Sequence, residues 1–214
     1  MKIAPSVLAA DMADLKNVVK CIEETGCDLV HFDVMDGHFV PNLTYGPPVV
    51  KASRAHTKLP FDVHLMVTDP AAYVPLLEGL DINLLSFHIE ATNFAPRLIN
   101  LIRDAGMRPS VALNPQTPLT YIEHVLPLVS NVLIMSVDPG FAGQSFIKPV
   151  YNKIESLAGY REENELTFTI EVDGGVNAGN INELAGIGVD IVVAGKAYFT
   201  ATEPIAFVNT VQSL

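Results

Sequence analysis

Short runs of β-branched and other apolar residues recur along the chain, and each is followed by a segment whose apolar positions return every three to four residues. The runs predict strands at residues 3–6, 29–33, 61–66, 84–88, 109–113, 131–136, 167–173 and 191–194. The longer-period segments predict helices. They are clearest over 14–24 and 94–105, where polar residues take the opposite side and Gly26 and Gly106 stand where helix C-terminal caps belong. Strand and helix alternate throughout, at a spacing that suits parallel crossovers. Eight parallel strands with eight intervening helices close most simply into one (β/α)8 barrel over residues 1–214, an α/β fold without sheet edges. A doubly wound open sheet is the alternative that the same alternation permits.

The polar residues favour the barrel. Ser6, His31, Asp33, His64, His88, Asn114, Asp138, Asp173 and Gly195 all fall at or just past the C-terminal ends of the eight predicted strands, the face on which barrels assemble their sites.

Charge narrows the partners. With 24 acidic and 13 basic residues the net charge is −11, and no Lys/Arg cluster exists to neutralise phosphates, which argues against nucleic acid or an anionic membrane. An anionic ligand therefore needs a local source of positive potential: a metal, a helix N-terminus or a well-placed Lys. No apolar run reaches the ~18 residues of a membrane span, and the N-terminus carries no cleavage pattern, so an untargeted cytoplasmic protein is expected. Cys21 and Cys27 match neither a redox pair nor a zinc knuckle and are expected to be buried thiols. With only 17% charged residues, a buried contact in a homo-oligomer is expected.

The strand period of two places His31 and Asp33 on one face of Val30-His31-Phe32-Asp33-Val34, pointing inward if Phe32 and Val34 meet the helices. Phe61-Asp62-Val63-His64 adds an imidazole, and Ile170-Glu171-Val172-Asp173 adds a carboxylate from the far side. Singly, each is most simply a hydrogen-bonded strand end or cap. Together, two imidazoles and two carboxylates at one end of three strands point to a cation, because burying them without one leaves charge uncompensated. The mixed donor set suits one divalent ion, Zn, Fe, Mn or Co, better than Ca²⁺. Flanked by carboxylates, such an ion can hold a carbonyl and its neighbouring hydroxyl while protons move at carbon.

Glycine forms the second constellation: Pro139-Gly140-Phe141-Ala142-Gly143-Gln144, Asp173-Gly174-Gly175 and Gly195-Lys196 follow the last three strands. Any one is most simply a turn, but loops after strands seven and eight of a barrel frequently hold phosphate, so a phosphorylated substrate is expected. Met35, Met66 and Met135 sit at or near strand ends, where they fill core or form a dry floor. His88 with Glu90 reads as a satisfied core histidine rather than a site pair.

These motifs resemble the ribulose-phosphate 3-epimerase family over essentially the whole chain, through Ile3-Ala4-Pro5-Ser6, the run from His31 to Asn42, Asp62-Val63-His64-Leu65-Met66-Val67, Pro139 to Gln144 and Glu171 to Val176. The resemblance implies a (β/α)8 barrel that interconverts D-ribulose 5-phosphate and D-xylulose 5-phosphate with one divalent metal. It implies His31, Asp33, His64 and Asp173 as metal ligands, and Asp33 and Asp173 as acid and base on opposite faces of a 2,3-enediolate. Ser6 and His64 match substrate contacts, and Met35, Met66 and Met135 match site-lining methionines. Gly140, Phe141, Ala142 and Gly143 match a covering loop, and Gly174, Gly175, Gly195 and position 196 a phosphate cradle.

Position 196 is usually Ser in that family and is Lys196 here, either adding charge to the phosphate or facing solvent. Asp138 and Ala142 resemble the allulose 6-phosphate branch, whereas Gly174-Gly175 is ribulose-like. A D-allulose 6-phosphate 3-epimerase, a related ketose-phosphate epimerase and a catalytically silent sugar-phosphate binder are the alternatives. The decarboxylase and hexulose-phosphate synthase barrels carry D-x-K-x-x-D at a strand end. The nearest match, Asp14-Leu15-Lys16-Asn17-Val18-Val19, lacks the last Asp and falls on a predicted helix.

Overall fold

The computed structural model describes residues 1–214. Eight parallel strands, β1 (Lys2–Pro5), β2 (Val30–Met35), β3 (Phe61–Met66), β4 (Ile82–His88), β5 (Arg108–Leu113), β6 (Asn131–Met135), β7 (Thr169–Asp173) and β8 (Ile191–Ala194), pair in the order β1-β8-β7-β6-β5-β4-β3-β2. The remaining seam is closed by a parallel bridge between Ser6 and His31, and by the N–H groups of Asp28 and Leu29 donating to Ile3 O. The result is the expected barrel, with strand ends displaced by one or two residues from the sequence reading.

The alternation in β2 shows why the chain closes this way. Phe32 and Val34 join the large apolar cluster between strands and helices, while His31, Asp33 and Met35 turn to the interior. Phe32, Phe61 and Phe87 are fully buried in that outer layer, each side chain contributing about 1.5–3 kcal/mol of transfer free energy.

The outer layer contains α1 (Leu15–Glu24), α2 (Pro47–Arg54), α3 (Pro70–Leu77), α4 (Ala95–Asp104), α5 (Val150–Glu163), α6 (Ile181–Gly186), the short α7 (Lys196–Phe199) and α8 (Pro204–Gln212). Gly26 and Gly106 end α1 and α4 as expected, with φ of +79° and +81°. Four helices, α2, α3, α4 and α8, carry Pro in their first turn, where its missing N–H costs nothing.

One crossover departs from the eight-helix expectation. Between β5 and β6 there are only two 3-10 turns, Leu119–Tyr121 and Leu126–Leu128. Pro115, Pro118 and Pro127 interrupt that segment, and each removes a donor from any helix attempted there. A second correction concerns the thiols: Cys27 is buried, but Cys21 lies on the exposed side of α1. No helix is long and apolar enough to cross a membrane.

Candidate active site

Parallel register brings the chemistry together. Between β2 and β3, His31 lies opposite Asp62 and Asp33 opposite His64, so a carboxylate neighbours each imidazole. His31 Nε2 and His64 Nδ1 each stand 3.3 Å from Asp33 Oδ1. Asp173, from the end of β7 across the barrel, brings Oδ2 to 3.9 Å from His64 Nδ1. One donor atom from each of these four residues lies within 4.8 Å of the others.

Each group is held from behind. Ser6 donates its hydroxyl to Asp33 Oδ2 at 2.5 Å, and Asp33 N–H donates to the Tyr45 hydroxyl at 3.1 Å. Thr44 donates to Asp33 O at 2.7 Å and accepts from Met35 N–H at 3.0 Å, fixing the end of β2. His31 Nδ1 meets Asp62, one layer deeper in the barrel. Asp62 and Glu171, both fully buried, each have one oxygen without a donor, Oδ1 and Oε1. Asn131 donates to the other oxygen of Glu171 at 2.6 Å.

Electrostatics follow from this packing. Burial opposes charge on Asp33, but the neighbouring imidazoles outweigh it and hold the carboxyl well below its ordinary range. Desolvation and the Asp33 charge push Asp173 up to about 7. Burial brings His64 down to about 4. Burial and the Asp62 charge push the Glu171 carboxyl well above its ordinary range, whereas His31 draws that of Asp62 down against burial.

The donors fit a divalent cation. Two ligands bound about 2.1 Å from one ion are about 3.0–3.4 Å apart when adjacent and about 4.2 Å when opposite, close to the separations seen here. No Lys or Arg pairs with Asp33, Asp62, Glu171 or Asp173; their only basic neighbours are imidazoles. Two imidazoles and two carboxylates are a nitrogen and oxygen set of the kind divalent metals take.

Above the cluster opens a cleft. Of the residues singled out in the sequence, it is lined by Ser6, Asp33, Asp173, the three methionines Met35, Met66 and Met135, the loop from Asp138 to Gly143, and Gly195 with Lys196. His31 and His64 lie beneath it, fully buried. An adjoining recess includes Gly143, Gly175, Asn177 and Lys196, so Lys196 borders both spaces. Gly174 lines neither and is required by packing: its φ is +116°, and a Cβ there would sit 2.5 Å from Val137. Asn42 donates to Gly140 O at 2.9 Å, tying the loop after β6 to the loop after β2.

Several supporting residues escape sequence reasoning. Asp62 and Glu171 share the inward face of His64 and Asp173, two positions earlier, and that spacing was the available signal. Tyr45 and Thr44 gave none, since they reach Asp33 from a loop. His88 is buried and hydrogen-bonded, as expected of a core histidine, but its partners are His64 and Glu90.

Comparison with known proteins places this arrangement. Over the whole chain the fold is similar to a mutant tryptophan synthase alpha-subunit from Pyrococcus furiosus (TM-score 0.69, 13% identity, 100% of this chain and 98% of that one). It is equally similar to the 3-hexulose-6-phosphate synthase of Salmonella typhimurium (TM-score 0.68, 14% identity, 100% and 97%). At those identities the likeness concerns the barrel alone. Sequence relatives are much nearer. The ribulose-phosphate 3-epimerase of Bacillus subtilis is 45% identical over 200 residues, 93% of this chain and 92% of the relative. That of Treponema pallidum is 43% identical over 94% and 92%, and ribulose-phosphate 3-epimerase 2 of Cupriavidus necator is 46% identical over 95% and 86%. The sequence model of the ribulose-phosphate 3 epimerase family matches residues 2–199, a span that contains every donor and loop described above, and the chain belongs to that family of isomerases.

Proposed function

We propose that this chain is a metal-dependent 3-epimerase that interconverts D-ribulose 5-phosphate and D-xylulose 5-phosphate. The observation that carries the reading is the placement of Asp33 and Asp173 on opposite walls of one cleft, β2 and β7, above two buried imidazoles. Inversion at a carbon beside a ketone needs a base on one face and an acid on the other when the substrate cannot turn over. One carboxylate takes the C3 proton, leaving a planar 2,3-enediolate, and the other returns a proton to the opposite face. Turnover leaves the pair with exchanged protonation, ready for the reverse reaction. The split between Asp33, held low, and Asp173, raised to about 7, is the division a base and an acid need.

His31, Asp33, His64 and Asp173 would hold one divalent ion, with Zn, Fe, Mn and Co all compatible with the donors. When bound, it supplies positive charge beside the oxygens on which the enediolate's charge develops. Ser6 orients the sugar over a floor of Met35, Met66 and Met135. Gly140, Phe141, Ala142 and Gly143 cover it, and Gly175 and Gly195 present backbone to the phosphate, with Lys196 adding a point charge.

The ligand on this reading is a ketose phosphate and not a nucleic acid, in keeping with the net charge of −11. A homo-oligomer, for which exposed Leu76 and Leu101 supply apolar surface, and a reducing cytoplasm, suited to two free cysteines, complete the proposal.

The test is exchange of the C3 proton in D₂O, followed by NMR, with metal-loaded and chelator-stripped protein. Deuterium at C3 together with the epimer, only in the loaded protein, is expected with D-ribulose 5-phosphate. Asp138 and Ala142 line the cleft and favour a second reading, a hexulose phosphate, so D-allulose 6-phosphate is run in parallel. Faster exchange with the longer sugar moves the assignment to that branch, and no exchange with either leaves a silent sugar-phosphate binder.

A further inference from the structure

His88 and Glu90 stand outside the four-donor cluster yet connect to it. His88, at the end of β4, is fully buried, with its ring edge to edge with that of His64, centroids 4.9 Å apart, and against Phe39 at 4.7 Å. Its Nε2 lies 2.8 Å from His64 Nε2, and its Nδ1 lies 3.2 Å from Glu90 Oε2. The other oxygen of Glu90 accepts the Asn114 N–H at 2.9 Å and the Thr117 hydroxyl. That loop is pinned in turn: Lys153, on α5, donates to the carbonyls of Asn114, Pro115 and Thr117 at 3.0, 2.6 and 2.7 Å. A continuous line of contacts therefore runs from α5, through the loop after β5, to the imidazole of His64.

Hydrogen counting gives that line a direction. The Glu90 carboxylate only accepts, so His88 Nδ1 carries the hydrogen between them. An imidazole whose one hydrogen sits on Nδ1 has a bare Nε2. A ring-to-ring contact needs one donor, so His64 Nε2 must carry its hydrogen and His64 Nδ1 is left with a free lone pair. That nitrogen is the one facing Asp33 and Asp173. Without the line, His64 is free to place its hydrogen on Nδ1, the tautomer that cannot ligate.

We propose that His88 and Glu90 are positioning residues that select the Nδ1-bare tautomer of His64 and so prepare it to hold the divalent ion. The inference rests on the reading of His31, Asp33, His64 and Asp173 as a metal centre. Neither residue belongs to the four-donor group or lines the cleft.

Affinity for Zn²⁺ and Mn²⁺, measured by competition with a chromophoric chelator, is the first readout. Long-range ¹H–¹⁵N NMR of the His64 ring in the metal-free protein is the second. The parent should show hydrogen on His64 Nε2 before any metal is added. His88→Phe, which keeps a ring but offers no acceptor, should lose that preference and weaken Zn²⁺ binding about 10- to 100-fold. Glu90→Gln, more conservative and expected to fold in any case, should weaken it about tenfold. Unchanged affinity and an unchanged tautomer in Glu90→Gln overturn the proposal while leaving the metal centre intact. A parent protein that binds neither ion overturns the metal centre itself, and the positioning role with it.

Discussion

On the side of the barrel mouth formed by β2, β3 and β4, imidazoles and carboxylates support one another in depth, His31 on Asp62 and His64 on His88 and Glu90. On the side formed by the loops after β6, β7 and β8, the lining is glycine and backbone, with Lys196 as the lone basic side chain in the cleft. The two sides solve different problems. Groups that must be charged or bare in a buried place need partners that fix their hydrogens. A ligand that brings its own charge needs N–H groups and room. Asp173 belongs to both, since it follows Glu171 on β7 and immediately precedes Gly174.

Breaking the first side at its carboxylates should have the largest effect. Asp33→Asn or Asp173→Asn keeps the volume and removes a proton acceptor, and kcat should fall about 10³-fold. Steady-state epimerisation checks this, and a loss below tenfold in both variants would mean that neither carboxylate moves the C3 proton. Chelation comes next. A stripped protein should lose activity and melt at a lower temperature, with both recovered on adding Zn²⁺ or Mn²⁺, because a ligand of the native state alone stabilises it. A melting curve indifferent to metal would mean that the imidazoles already balance the carboxylates.

The second side should break through backbone and space. Gly175 has a φ of +63°, and a Cβ there would lie 2.5 Å from the backbone nitrogen of Phe146. Gly175→Ala should therefore cost about 1–3 kcal/mol in urea unfolding and raise KM as the recess deforms. Lys196→Ala should raise KM up to about fivefold with kcat unchanged, the scale of an exposed charge contact. An unaltered KM would place Lys196 in solvent.

The smallest effect tests how firmly the loop after β2 is set. Asp36 accepts from Thr68, Phe39 and His38 N–H groups, which outweigh desolvation and hold its carboxyl down to about 2 from 3.8. A folded-state pKa below the unfolded one means stability present above about pH 4 and lost as pH falls toward 2. Asp36→Asn should flatten that part of the urea midpoint against pH and change little at neutrality.

Part of the mouth was legible from strand periodicity, because His31 and Asp33 must share one face of a strand, and the same spacing of Asp62 to His64 carried a signal for the deeper carboxylate. The glycines after β6, β7 and β8 were legible as loops, but packing distinguishes them. Gly174 answers to Val137, and Gly175 answers to Phe146. The supports were not legible. Tyr45, Thr44 and Ser6 meet Asp33 from separate segments, and Glu90 gains its donors from the loop after β5. The β5 to β6 crossover shows the same limit from the other direction, since barrel closure tolerates a pair of 3-10 turns where proline forbids the expected helix.

The chain alone determined which side chains face the barrel interior and at which end of each strand they stand, because local sterics impose a period of two on a strand and one of 3.6 on a helix. Only the tertiary structure decided which of those groups touch. Parallel register sets Asp33 beside His64 and His31 beside Asp62, and barrel closure swings Asp173 across to join them. Contacts between residues far apart in sequence depend on how strands tilt and pair around the whole ring, and no local rule of the chain contains that geometry.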